Sequence, residues 1–332
     1  MTSQRTRSEN ALLLPLIFVL VCAMATAFSA PDSWAATAKA KSKTFGSPEE
    51  AVKALVDAMK SGDKAQLSAI FGPGSESLIS SGDDVEDKAG RERFLKNYGE
   101  KNSLEKKGDD EVLLQVGKDD WPFPIPIRKT GSAWVFDTKA GKEEFLNRRI
   151  GRNELNTIDV LEAYVVAQRE YANKDWDGDG VYPYAQKFRS TPGKKDGLFW
   201  KAGEGEEPSP LGPFAAQAAQ EGYARKGKSE KPSPYYGYYF KILKAQGKHA
   251  PGGAYDYIVK GNMILGFGLV AYPATYGSSG IMTFIVNQEG VVYQKDLGKG
   301  TAKAAGGMKR YDPDPTWKKV EAGPPQGSPT GK

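Results

Sequence analysis

The spacing of apolar residues changes period three times along the chain. From Ser47 to Tyr98 it is helical: Ala51, Val52, Leu55, Ala58 and Met59 fall on one stripe. Ser47-Pro48-Glu49-Glu50 predicts where that helix starts, with Ser47 as N-cap, Pro48 at the first helical position and Glu50 closing a capping box. Gly62 ends it. Asp63–Phe71 and Asp83–Tyr98 predict two more helices, the last with Phe94, Leu95 and Tyr98 near its end. The period then shortens to that of strands over Glu111–Val116, Phe123–Lys129 and Ala133–Phe136. Pro122, Pro124 and Pro126 alternate along the middle one. Proline cannot donate to a ladder, so that segment is an edge or irregular strand.

A helical pattern returns over Gly141–Ala172, with Leu155, Ile158, Leu161, Val165 and Ala172 along a face and Arg148, Arg149, Arg152 and Glu154 polar. Gly151 is expected to interrupt this helix. Pro- and Gly-rich loops follow from Asp175 to Pro213, then a short helix over Ala215–Tyr223. The strand period reappears over Tyr236–Leu243, Tyr255–Lys260, Phe267–Tyr272, Met282–Asn287 and Val291–Lys295. Helices before strands, twice, predict an α+β protein of two domains, 45–140 and 141–299, divided near Lys139–Arg152. Residues 36–44 read as a tether and 300–332 as a flexible tail. The first core is expected to hold Val52, Leu55, Met59, Phe94, Trp134 and Phe136. The second is expected to hold Ile158, Leu161, Val165, Ile258, Phe267, Leu269, Phe284 and Val286.

The first thirty-five residues follow neither period. Arg5 and Arg7 precede an uncharged apolar run from Ala11 to Ala27, and Ser33-Trp34-Ala35 has the small-x-small form of a cleavage site. The pattern predicts a signal peptide over 1–35 and a periplasmic or secreted protein. A retained membrane anchor is the rival reading, since Ala11–Ala30 approaches the about 20 apolar residues that span a bilayer. Cys22 raises lipid modification as a third. It is the sole cysteine, so cleavage leaves no thiol for a disulfide, a nucleophile or a metal. The net charge of +5 is spread without a basic block, which argues against nucleic acid as partner.

Chemistry-bearing motifs are few. Asp175-Trp176-Asp177-Gly178-Asp179-Gly180 matches the front of a calcium loop: oxygen ligands at positions one, three and five, and glycine at six. Val181, through its carbonyl, and Gln186, at position twelve in place of the bidentate glutamate, complete a candidate structural calcium site. The other reading is an acidic turn in water. No other cofactor is indicated. The sole histidine, His249, lies in a glycine-rich loop with no neighbouring nucleophile. The aromatic run Tyr235, Tyr236, Tyr238, Tyr239 and Phe240 offers, on a strand, one core set and one set for stacking on a sugar or peptide.

Several strings resemble the bacterial exported family called domain of unknown function 2950. They are Asn147-Arg148-Arg149-Ile150-Gly151-Arg152-Asn153-Glu154, Asp177-Gly178-Asp179-Gly180, Tyr236-Gly237-Tyr238-Tyr239-Phe240, Ala250-Pro251-Gly252-Gly253-Ala254 and the stretch from Thr283 to Tyr293. The resemblance covers about Phe45 to Lys299 and implies a compartment but no activity. Ser47–Phe136 is also similar to the cone of the nuclear-transport-factor-2-like superfamily, helices first and then a curved sheet lining a pocket. Asn156–Tyr171, with Ala167-Gln168-Arg169-Glu170-Tyr171, is similar to the helix-then-sheet head of type IV pilin-like proteins. With no nucleophile–base set, the expectation is a non-catalytic binding module of the cell envelope. Its partner would be an envelope protein or glycan, with membrane contact only if the signal is retained. The alternatives are a carboxylate-dependent hydrolase with its pocket in the first domain, and a pilus- or secretion-associated subunit.

Overall fold

In the computed structural model, residues 41–223 and 233–321 are described. The predicted signal segment lies outside them. Ser47 caps α1 (Pro48–Ser61), its Oγ accepting from the Glu50 amide at 3.2 Å. The Glu50 carboxylate accepts from the Gly46 amide at 2.9 Å, so the capping box closes one residue upstream of the cap. Asp63 caps α2 (Lys64–Phe71) and Asp83 caps α4 (Asp84–Glu100), each accepting from two amides of the first turn. A single turn, α3 (Glu76–Ile79), lies between them.

The first sheet contains β1 (Asn102–Lys106), β2 (Glu111–Val116), β3 (Trp121–Pro122), β4 (Ile127–Thr130) and β5 (Ala133–Phe136). Its order is β1-β2-β4-β5, with β3 paired to β2, and every pairing is antiparallel. The apolar pattern misses β1, an edge strand with one apolar side chain, Leu104. The helices bury Val52, Leu55, Met59 and Phe71 against Leu114, Ile125, Ile127 and Phe136, with Phe94 and Trp134 partly buried around them. The tether is joined to this half at its end: the Lys43 amide donates to the Ala69 carbonyl at 2.8 Å.

One helix, α5 (Thr138–Tyr171), crosses the expected domain division without a break. Gly151 does not interrupt it. Glycine in a helix costs about 1 kcal/mol relative to alanine, and packing on both sides of this position outweighs that. The first turns of α5, through Phe145 and Leu146, pack on the first core, and Leu161, Tyr164 and Val165 belong to the second. The described residues form one compact unit.

After α6 (Gly212–Ala218) and a wider turn through Tyr223, the chain builds a second antiparallel sheet. Its strands are β6 (Tyr238–Leu243), β11 (Gly268–Pro273), β12 (Met282–Asn287), β13 (Tyr293–Asp296) and β14 (Lys318–Lys319), in the order β14-β13-β12-β11-β6. Two small hairpins intervene: β7 (Ala245–Gln246) with β8 (Tyr255–Asp256), and β9 (Ile258–Val259) with β10 (Asn262–Met263). The strand expected from Tyr236 starts two residues later, because Tyr236 and Gly237 adopt left-handed φ of 50° and 76°.

Both faces of this sheet are covered. Leu269, Ala271, Phe284 and Val286 face the α5 side, packed with Leu161 and Val165. Val270 and Ile285, the alternate positions, pack with Ala305, Tyr311 and Trp317. All three of these belong to the segment read as a flexible tail. That reading is corrected for residues 300–321: α7 (Thr301–Gly307), Tyr311 and Trp317 form the lid that the second apolar face requires. Among the described residues, no helix is long and apolar enough to cross a membrane.

Candidate functional site

A cavity of about 320 Å³ lies in the N-terminal half. Its apolar lining includes Leu67 and Phe71 of α2, Leu78 of α3, Phe94 of α4, Phe145 of α5, Val116 of β2, and Phe123 just after β3. Phe123 is the hub, with ring centroids 6.4 Å from Phe71, 5.5 Å from Phe94 and 6.3 Å from Phe145. Trp121, 56 % exposed, sits at the edge of the cavity with the Arg148 guanidinium 5.4 Å from its ring.

The charged lining comes from two helices. α4 supplies Glu86, Asp87, Arg91 and Arg93, and α5 supplies Arg148, Arg149 and Arg152. Helical spacing puts each set on one face, since residues three and four apart are neighbours. Glu86 is buried and takes Arg93 Nη2 at 2.6 Å and Arg152 Nε at 3.5 Å. Asp87 is also buried, and both its oxygens accept from the Ser81 amide, at 3.1 and 3.0 Å. Arg149 is 8 % exposed. It donates to the Ser77 carbonyl at 2.7 Å, to the Leu78 carbonyl, and weakly to Ser278 Oγ at 3.5 Å. Burial pushes the Arg149 and Arg152 guanidinium groups below their ordinary range, as desolvation disfavours a charged form.

The next residues of α5 fasten this wall to the C-terminal half. Asn153 Nδ2 donates to the Ser279 carbonyl at 2.9 Å, and Glu154 Oε1 accepts from the Ile281 and Met282 amides, each at 2.9 Å. The N-cap of α4 makes a second fastening. Asp83 Oδ2 accepts from the Tyr223 hydroxyl and the Gly237 amide, both at 2.9 Å. Burial raises the Asp83 carboxyl above its usual range.

The acidic loop brings Asp175, Asp177 and Asp179 together, with one carboxylate oxygen of each within 4.8 Å of the others. The loop is already closed by its own amides. Asp175 accepts from Gly178 at 2.7 Å and Gly180 at 2.8 Å, and Asp179 accepts from Val181 at 2.8 Å. These bonds, that from Gly180 foremost, lower the Asp175 carboxyl, whereas desolvation and the nearby Asp179 charge raise that of Asp177. Gln186 is not brought to the three: its amide donates to the Gly261 carbonyl at 2.7 Å and accepts from Lys244 Nζ at 3.2 Å. His249 Nδ1 lies 3.1 Å from Asp312 Oδ1. Of the aromatic run, Tyr238 is fully buried. Tyr236 bonds Glu221, and Tyr235 lies against Tyr223.

The cavity's charged wall was missed as a site, although Arg148, Arg149 and Arg152 stood out as a polar stripe. The available signal was a second stripe, Glu86-Asp87 with Arg91 and Arg93, on a helix of the same half. In a comparison with known proteins, a family described as "Protein of unknown function (DUF2950)" matches residues 42–320. No curated protein and no solved structure matches.

Proposed function

The chain belongs to this family of unknown function, and on that premise we propose that it is a non-catalytic binding protein of the cell envelope, with its ligand site in the cavity between α4, α5 and the first sheet. The observation that carries this reading is the state of the two carboxylates that line the cavity. A carboxylate pair doing acid–base work needs a group free to exchange a proton with the substrate. Glu86 is instead held by two guanidinium groups, and Asp87 is spent on the Ser81 amide. What the cavity offers a ligand is apolar surface and cationic donors, the mix of a binding site. The likeness of residues 47–136 to pocket-bearing cones supports the same placement. The export signal read in residues 1–35 supports the envelope.

A neutral dye, N-phenyl-1-naphthylamine, tests the site. Saturable binding to the wild-type chain is expected, with loss in Gly90→Phe. Gly90 lines the cavity, and a Cβ there would approach only Arg93, at 3.7 Å. Absence of saturable dye binding, together with no envelope component retained on the immobilised chain, overturns the proposal. The acidic loop adds a second, structural role, that of holding calcium. Its support is the convergence of three carboxylates.

A further inference from the structure

We infer that the cavity takes an anionic amphiphile, a molecule with an extended apolar body and a carboxylate or phosphate head. This rests on the reading of the cavity as a binding site and names the class of its ligand. Charge balance is the first ground. Five arginines line the cavity; Arg93 and Arg152 pair with Glu86 and Arg148 with Glu144, which leaves Arg91 and Arg149 without an ion pair among the described residues. The second ground is Arg149, which is buried yet bonded only to neutral oxygens. Among the described residues it makes no ion pair. A buried charge is strongly disfavoured unless paired, and an anion in the cavity would supply the missing partner. Arg91 is a second cationic donor in this position. Its guanidinium donates to the Asp87 main-chain carbonyl at 3.1 Å, and among the described residues it makes no ion pair.

The remaining lining decides what is attached to the anion. Phe71, Phe94, Phe123 and Phe145, with Leu67 and Leu78, offer a ligand no hydrogen bond. A sugar phosphate or a nucleotide would bury hydroxyls or ring nitrogens there without partners, which disfavours it. An alkyl or aryl chain buries nothing polar. The volume of about 320 Å³ is at the small end for ligand pockets, which fits a medium chain.

The test displaces the neutral dye from the delipidated full chain with decanoate, decyl phosphate, octanoate, decanol and inorganic phosphate. Decanoate, decyl phosphate or both should bind at least tenfold more tightly than decanol, as expected for charge-assisted bonds. Decanoate should bind about fifteenfold more tightly than octanoate, the effect of two methylenes. Arg91→Gln should weaken decanoate about tenfold and leave decanol unchanged. If that variant melts below the wild type, Arg148→Gln replaces it. Decanol binding as well as decanoate overturns the anionic head and leaves the cavity reading standing. Displacement by inorganic phosphate with no dependence on chain length overturns the amphiphile. If neither the dye nor any amphiphile binds, the cavity reading falls as well.

Discussion

Two glycines of α5 should respond to alanine with opposite signs. At Gly151 nothing lies within 4 Å of an added Cβ, and the residue is exposed. Alanine there gains the helix propensity that glycine forgoes, about 1 kcal/mol, partly by restricting the unfolded chain. At Gly141 the same Cβ would sit 2.2 Å from the Pro124 carbonyl oxygen and 2.5 Å from Ile125 Cα. Both are backbone atoms, so no rotamer change relieves the contact. Overpacking of this kind costs about 1–3 kcal/mol, and distances so short place it at the upper end. Subtracting the propensity gain leaves a net loss of about 2 kcal/mol. For a unit of this size 1 kcal/mol corresponds to roughly 2 °C. Gly151→Ala should therefore melt about 2 °C above the wild type and Gly141→Ala about 4 °C below it. Circular dichroism melts and urea titrations with matched slopes measure both. Because Pro124 lines the cavity, Gly141→Ala should also weaken dye binding. If the two variants shift in the same direction, the close approach of α5 to the 124–125 backbone is refuted.

Three other outcomes are expected. Asp83→Ala removes the cap of α4 and leaves the buried Gly237 amide without a partner. It should cost about 2–3 kcal/mol in urea denaturation, and a loss below about 0.5 kcal/mol would count against the fastening. For Asp196, burial raises the carboxyl, but the bonds from Lys187 Nζ and from the Thr191 amide and hydroxyl outweigh it and hold the group at about 2. A carboxyl lowered on folding stabilises above its unfolded value and loses that stabilisation as pH falls through its folded value. The pair is part-exposed, so Asp196→Asn should cost only about 1 kcal/mol at pH 7. The difference from wild type should vanish on titration from about pH 4 to pH 2, and a pH-independent difference would refute the assignment. Millimolar calcium should raise the melting temperature by linkage, and Asp177→Ala should abolish the rise. An unchanged wild-type melt removes the metal from the description.

The parts legible in the sequence are those fixed by neighbours along the chain. Ser47 and Pro48 set the start of α1, and β2, β5 and β12 coincide with their predicted spans, because capping and alternation are local. The convergence of Asp175, Asp177 and Asp179 was legible for the same reason. Gln186 was not, since Gly261 and Lys244 reach it from distant segments. The tail was misread because its order comes from the apolar positions Val270 and Ile285, which need a cover on a second face. Unbroken apolar runs in β11 and β12 carried that demand, but nothing in them says which segment meets it. The arginine stripe of α5 reads as a water-facing surface until the fold sets α4 opposite it. Periodicity separates polar from apolar faces and cannot tell water from a second charged helix.

The fastening of α5 makes the cavity wall unequally stiff. Arg148, Arg149 and Arg152 line the cavity, and within two residues Asn153 and Glu154 are bonded to the Ser279–Met282 backbone. Any rotation of α5 that widened the cavity would break those bonds in the neighbouring half. Beside Arg148 lies a two-residue strand, β3, carrying an exposed tryptophan and continuing into the irregular Pro122–Pro126 segment. If the cavity binds a ligand as proposed, widening at β3 would break fewer bonds than rotation of α5, so β3 would set the entry and the upper limit on girth, and the arginines would act as the fixed gauge.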